Sequence, residues 1–134
     1  MSFFLFIFLI LILSLRLIKQ KYSKFLIPRG LGRAYGDAAQ LKDDFVLNVA
    51  FNNGISLSGN RVTVGGGVSI RDLLQVIVPM GYFLPVSPGS AQVTIGGAIA
   101  ADVHGKNHHK NGSLGNHITR ILLIDGKGNL LELK

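Results

Sequence analysis

Three segments of the chain combine glycine with side chains that can bind or react, and the first is residues 29–37, RGLGRAYGD. Its three glycines permit positive φ, so that successive backbone N–H groups can point at one anion. Arg29 and Arg33 could supply the counter-charge. The spacing G-x-G-x-x-x-G, with no Gly-Lys-Ser/Thr after it, fits neither a Walker loop nor a Rossmann fingerprint. The segment is therefore a candidate phosphate-binding loop, with an ordinary glycine-rich turn as the alternative.

The second segment, residues 88–101, is PGSAQVTIGGAIAA. Thr94 is a good N-cap, so we predict that a helix begins directly after it. Gly96 and Gly97 would lie in its first turn, where each costs about 1 kcal/mol relative to alanine. That cost is tolerable where a ligand approaches the backbone closely, and a helix N-terminus with bare N–H groups suits a pyrophosphate. Tight helix packing, which also favours small residues, is the alternative.

The third segment, residues 102–109, is DVHGKNHH, and all four histidines of the chain lie within residues 104–117. His104 and His108 have the four-residue spacing of metal ligands on a helix. Glycines interrupt the helix that this pairing needs, however, and only one carboxylate lies nearby. We therefore predict no metal site. A polar wall beside a cofactor, with His104 and Lys106 facing a substrate, fits the residue types better.

Composition excludes several other kinds of site and partner. The chain has no cysteine, which excludes disulfides, Cys-ligated zinc, iron–sulfur clusters and a thiolate nucleophile. Its net charge of +7 includes four basic residues within residues 16–24, and no basic stripe with interleaved aromatic residues follows. We therefore expect no nucleic-acid partner.

The remaining pattern predicts an α+β fold. Ser69 is a good N-cap for a helix over residues 70–79, whose apolar positions have helical spacing and whose end falls near Gly81. Turn signals and apolar runs predict the strands, which lie at residues 25–28, 45–49, 55–58, 61–64, 118–125 and 130–133. We predict that residues 55–58 and 61–64 form one β-hairpin and that residues 118–125 and 130–133 form a second.

Residues 1–24 differ from the glycine-rich remainder, residues 25–134. Residues 3–18 are almost entirely apolar, and as a helix they would span roughly 24 Å, a little less than a membrane's ~30 Å hydrocarbon core. The basic residues follow this run, which by the positive-inside rule predicts a cytoplasmic body. We expect a single membrane helix here rather than a cleavable signal peptide. A buried or mis-started segment of accidental composition, in a cytoplasmic protein, is the alternative.

Taken together, the three glycine blocks resemble the PCMH-type FAD-binding domain of the vanillyl-alcohol-oxidase superfamily. The run RGLGRAYGD…PGSAQVTIGGAIAADVHGKNHHKNGSLGNHI is particularly similar to the decaprenylphosphoryl-β-D-ribose 2′-oxidase branch. The resemblance covers residues 28–134 and implies a two-part α+β domain with FAD held between the parts. It also implies that His104 and Lys106 border the substrate pocket. The implied FAD-binding residues are Arg29, Gly30, Leu31, Gly32, Arg33, Ala34, Tyr35, Gly36, Asp37, Gly89, Thr94, Ile95, Gly96, Gly97, Ala101, Asp102, Val103 and His104.

The resemblance carries further expectations about how the chain works. Many superfamily members tether FAD through a histidine in the first glycine loop, where this chain has Arg33, so FAD should be held non-covalently. Members of the branch are several hundred residues long. We therefore expect a companion chain with the substrate domain, oxidation of a secondary sugar alcohol by the pair, and no turnover by this chain alone. A truncated remnant without activity and a membrane-anchored nucleotide-binding module are the alternatives.

Overall fold

The computed structural model describes residues 25–50 and 54–134. They divide into two units, Ile27–His117 and a second unit that includes Ile118–Lys134. The hydrophobic helix predicted for residues 1–24, and with it the predicted boundary at residue 24, lies outside the described residues. Within the described ranges, no helix is long and apolar enough to cross a membrane.

Six short strands form three separate two-stranded sheets. Two of these sheets are the predicted antiparallel hairpins, in which Ile55 pairs with Val64 and Ile121 pairs with Leu133. The fifth strand is shorter than the predicted residues 118–125. The strands are β1 (Leu26–Arg29) paired with β2 (Phe45–Asn48), β3 (Ile55–Ser58) with β4 (Arg61–Val64), and β5 (Ile121–Ile124) with β6 (Leu130–Leu133).

Helix α1 spans Ile70–Ile77, begins at the predicted cap and continues into a 3-10 turn, Val78–Met80. The Ser69 hydroxyl oxygen accepts a hydrogen bond from the Asp72 N–H at 3.0 Å, which satisfies a donor that the first turn leaves unpaired. The turn ends at Gly81, whose φ of 83° is the left-handed conformation that favours glycine. The predicted helix and its glycine stop are confirmed.

Two further helices follow in the same unit. Helix α2 spans Ile95–Ala100 with Thr94 as its N-cap, and helix α3 is the single turn His108–Asn111, followed by a 3-10 turn at Leu114–His117. The buried core comprises Val68, Ile70, Leu73, Ile77, Val86, Ile95, Ala98 and Leu114. Most of it comes from the inner faces of α1 and α2, so this core fixes the N-termini of both helices. The described chain mixes helices and strands, as predicted.

Candidate functional site

The N-termini of α1 and α2 lie side by side because the residues before them pair as extended backbone. Ser69 and Thr94 form an antiparallel bridge. On one side of this bridge the Ile70 N–H donates to the Val93 carbonyl at 2.9 Å. On the other side the Ile95 N–H donates to the Val68 carbonyl at 2.8 Å. Both N-cap side chains are buried, so the two helix starts form one packed unit.

This pairing corrects one premise of the sequence argument. The first N–H groups of α2 are not bare: the Gly96 N–H donates to the Gly66 carbonyl at 2.7 Å, and the Gly97 N–H donates to the Thr94 hydroxyl at 3.2 Å. A Cβ on Gly96 would lie 3.0 Å from the Gly66 oxygen. Close backbone packing therefore accounts for this glycine. Direct contact of residues 94–97 with FAD stays a prediction, without the bare donors that motivated it.

Free donors lie instead in the first glycine loop, residues 30–37. No backbone N–H of these eight residues donates a hydrogen bond within the described part of the chain. Gly32 and Gly36 have φ of 63° and 58°, so the loop turns twice through the left-handed conformation. Successive N–H groups in such a loop can converge on an anion. The geometry therefore supports the phosphate-binding interpretation.

A positive charge lies against this loop. The Arg29 guanidinium lies over Gly32, where an added Cβ would be 2.6 Å from Nη2 and 3.2 Å from Cζ. Within residues 25–50 and 54–134, Arg29 makes no ion pair, and neither does the exposed Arg33. Two uncompensated cations beside unpaired N–H groups favour an anionic ligand.

The loop also contacts the start of α2, which connects the first two predicted segments. A Cβ on Gly30 would overlap the Thr94 hydroxyl and lie 2.9 Å from its methyl carbon. Residues 33–37 are exposed, and the Tyr35 side chain is almost fully so, whereas Gly89 has open space around its Cα. The structure thus brings Gly30 and Thr94 together, whereas a Cβ on Gly89 would meet nothing within 4 Å among the described residues.

A cleft of about 220 Å³ opens beside the loop. Leu31 lines one part of it, and residues at the start of α1 line another. Of this lining, only Leu31 was a predicted site residue. Ser69 was predicted as a helix cap, and the long-range pairing of the helix starts is what brings the lining residues to one cleft. The lining residues are Leu31, Ala50, Gly67, Ser69, Arg71, Asp72 and Gln92.

The third predicted segment begins at the C-terminus of α2, where the chain reverses. The Asp102 N–H donates to the Ile99 carbonyl at 3.0 Å and the Val103 N–H donates to the Ala98 carbonyl at 3.0 Å. This pair of bonds is the Schellman motif, whose left-handed position is usually glycine. Here Asp102 occupies that position with φ of 41°. The turn redirects the chain from Ala101 towards His104.

The Asp102 carboxylate accepts hydrogen bonds from the far side of the segment. The Ser113 hydroxyl is the main cause of its lowered pKa, followed by the Gly115 N–H, which donates to Oδ1 at 2.8 Å. The electrostatic interaction with His104 also lowers the pKa of Asp102, whereas desolvation raises it. Asp102 therefore stays ionised to lower pH than an ordinary aspartate.

His104 and Lys106 lie on an exposed loop held in place by its neighbours. The backbone of His104 forms an antiparallel bridge with Ser113. Two amide side chains, Asn107 and Asn111, donate to the Pro85 carbonyl at 3.0 and 3.2 Å. The structure thus fixes this loop against residue 85. Whether its side chains face a substrate stays a prediction.

The histidine side chains are close to one another. The His104 and His108 rings have centroids 5.2 Å apart, and those of His108 and His109 are 5.7 Å apart. His108 Nδ1 lies 3.1 Å from the Gly105 carbonyl oxygen. Among residues 25–50 and 54–134, no group of three or more His, Asp or Glu side chains is arranged to hold a metal ion.

Comparison with known proteins gives consistent matches. Residues 12–134 match the family described as FAD binding domain, starting earlier than the resemblance that begins at residue 28. Over 110 residues, the chain is 46% identical to decaprenylphosphoryl-beta-D-ribose oxidase of Mycolicibacterium smegmatis, covering 80% of this chain and 24% of that protein. It is also 40% identical over 63 residues to an uncharacterized protein in the mprA 5′ region of Streptomyces coelicolor, covering 47% of this chain and 17% of that one.

A solved structure of alkyldihydroxyacetonephosphate synthase matches with a TM-score of 0.73 and 19% identity. It covers 92% of this chain and 24% of that one, and at this identity it supports the fold alone. The chain spans about a quarter or less of the length of each relative.

Proposed function

Because the chain belongs to the family of FAD-binding domains, with FAD as its cofactor and a PCMH-type fold, we propose that its first glycine loop holds the FAD pyrophosphate. We further propose that the chain is the FAD-binding part of an oxidoreductase acting on a secondary alcohol of a sugar. The observation that carries the first proposal is the run of unpaired N–H groups over residues 30–37 beside the Arg29 guanidinium.

The residues present fit this group. The loop N–H groups would donate to the phosphate oxygens, and Arg29 and Arg33 would offset their negative charge. A Cβ on Gly36 would meet nothing within 4 Å, which leaves the backbone accessible there. Thr94 would act by supporting the loop through its contact with Gly30, in addition to the direct contact implied by the resemblance.

The proposed contacts with the substrate come from the third segment, residues 102–109. Bound FAD would supply the redox chemistry by accepting a hydride from the alcohol carbon. We propose that His104 and Lys106 position the substrate hydroxyl, as hydrogen-bonding and cationic groups on an exposed loop fixed to residue 85. The sugar-alcohol class comes from the named activity of the 46% identical relative.

The pyrophosphate role is tested by charge reversal in the loop. The double variant Arg29→Glu/Arg33→Glu should lower FAD affinity in the full chain at least roughly tenfold, because charge-assisted bonds to phosphate become repulsion. Arg61→Glu, an exposed arginine on β4, is the matched control and should leave affinity unchanged. Isothermal titration with FAD measures both. Equal affinity in all three proteins would contradict the proposal.

We propose that FAD is held non-covalently, since residues 29–37 contain no histidine for a histidyl link. Acid precipitation of flavin-loaded chain should leave all the flavin in the supernatant. Yellow colour that remains with the precipitated protein would contradict this.

We also propose a companion polypeptide carrying the substrate domain. The β5–β6 hairpin supports it, because both leucines of the cross-strand pair Leu123 and Leu131 are partly exposed, with 44% and 39% of their surface accessible. The test is co-expression with the remaining part of the 46% identical relative, followed by co-purification and assay of sugar-alcohol oxidation. The proposal predicts a stable, active pair and no turnover by the chain alone. Leu131→Lys should abolish co-purification, whereas Ser56→Lys on β3 should not.

For localisation, we propose a single N-terminal membrane helix with the body in the cytoplasm, and a cytoplasmic protein is the alternative. The support is the apolar run of residues 3–18 followed by four basic residues. A tagged full chain should remain in the membrane fraction after carbonate extraction. Release by carbonate would contradict the anchor.

A further inference from the structure

We propose that Asp102 is a positioning residue, whose carboxylate holds the turn at residues 113–116 and thereby sets the backbone of His104. The link from His104 to substrate rests on the proposed function. The assignment of the carboxylate itself rests on geometry and goes beyond a role as one of the residues beside the cofactor.

The first observation is the backbone conformation of Asp102. Its φ of 41° lies at the left-handed position of a Schellman motif, which glycine occupies without strain. An aspartate there is disfavoured by its Cβ, although its side chain can compensate by local hydrogen bonds. The reason for aspartate at this position must therefore lie in what its side chain contacts.

The second observation is that Asp102 and Gly115 depend on each other, since the carboxylate accepts the Gly115 N–H and the missing side chain of Gly115 makes room for it. Oδ1 of Asp102 accepts the Gly115 N–H across thirteen residues at 2.8 Å. A Cβ on Gly115 would lie 2.8 Å from that same oxygen, so only glycine allows the carboxylate this close. Ser113 also lies beside the carboxylate, and its hydroxyl donates to Oδ1 of Asn116 at 3.1 Å within the same turn.

The third observation connects the turn to the predicted substrate side. The Leu114 N–H donates to the Val103 carbonyl at 2.8 Å, and the backbone of Ser113 forms an antiparallel β-bridge with that of His104. The Leu114 side chain is buried in the core, which holds the turn against the rest of its unit. Asp102 thus closes a short two-stranded arrangement in which residues 102–104, including His104, face residues 113–115. Loss of the carboxylate should loosen both sides together.

The test is NMR of the ¹⁵N-labelled full chain with two substitutions at one position. In the wild type, the chemical shift of the Gly115 amide should change with pH as the Asp102 carboxylate titrates, and this change should occur at a pH below the ordinary range for aspartate. In Asp102→Gly, which suits the backbone, this titration should vanish, Gly115 amide exchange should accelerate roughly tenfold, and the His104 and Ser113 amides should shift. In Asp102→Asn, which retains an acceptor oxygen, the amides of His104 and Ser113 should stay near their wild-type positions.

Asp125→Gly is the matched control, since Asp125 also accepts backbone N–H groups in a turn but lies in the other unit. It should leave the amides of Gly115 and His104 unchanged. If Asp102→Gly kept the wild-type exchange rate of the Gly115 amide and the wild-type chemical shift of the His104 amide, the proposal would be overturned. The readout needs no flavin, so absence of FAD binding would count against the proposed function alone.

Discussion

The contact between the first glycine loop and α2 gives the sharpest prediction on stability. Gly30 faces Thr94 so closely that a methyl group would overlap the hydroxyl and lie 2.9 Å from the methyl carbon. Thr94 is 3% exposed and caps α2 through the Gly97 N–H, so it cannot move aside without losing the cap. We therefore expect Gly30→Ala to displace Thr94 and destabilise the unit Ile27–His117.

The magnitude follows from two contributions. Overpacking a buried site costs about 1–3 kcal/mol, and loss of an N-cap costs about 1 kcal/mol more. The sum, about 2–4 kcal/mol, corresponds to a fall in Tm of roughly 10–20 °C for a unit of this size. Thermal unfolding followed by circular dichroism measures it. Gly89→Ala is the control, since its Cβ would meet nothing within 4 Å, and it should stay within about 0.5 kcal/mol of the wild type.

A double-mutant cycle tests the named contact. Thr94→Ala removes both the hydroxyl and the methyl group, so Gly30→Ala should cost about 1–2 kcal/mol less in that background. Equal cost in both backgrounds, or a Tm for Gly30→Ala equal to that of Gly89→Ala, would refute the reasoning.

Three further predictions concern other parts of the fold. Ser69→Ala should destabilise the chain by about 1 kcal/mol in urea unfolding, because the Asp72 N–H loses its capping oxygen; an unchanged midpoint would contradict this. Gly105→Ala should shift the amides of residues 85–88 in NMR spectra, because its Cβ would lie 2.6 Å from the Ser87 carbonyl oxygen; unmoved amides would show that the loop is not seated there. The Asn129 backbone and side-chain donors hold the pKa of Asp125 below the ordinary aspartate value of 3.8. Its carboxylate therefore stabilises the β5–β6 turn fully above pH 3.8, and this stabilisation is lost as the pH falls through the lower pKa of the folded state. The protection of the turn amides, taken as their exchange rate relative to the intrinsic rate at each pH, should fall only at such acidic pH in the wild type, and a loss of protection centred near neutral pH would contradict the assignment.

Local signals in the sequence predicted most of the elements. Ser69 and the apolar spacing after it identified α1, and Thr94 identified the start of α2, because capping depends on residues within one turn. The two hairpins followed from turn residues between apolar runs. For the same reason the first glycine loop was recognised as a candidate anion site, since positive φ depends on glycine itself.

Features that depend on distant residues were missed. The donors at the start of α2 are taken by residues 66 and 68, a pairing between two separate segments that no local pattern reveals. This made the predicted bare helix terminus wrong. The left-handed conformation of Asp102 was missed likewise, because its support comes from Gly115. An aspartate directly after the small-residue run 96–101, with glycines at 112 and 115 downstream, was the signal available.

We propose above that the unpaired N–H groups of residues 30–37 bind the pyrophosphate of FAD. The most direct measurement is isothermal titration of the full chain with FAD and with riboflavin, which has the same ring but no phosphate. FAD should bind at least roughly tenfold more tightly than riboflavin, and ADP should compete with FAD. Equal affinity for FAD and riboflavin, or no binding of FAD, would contradict it.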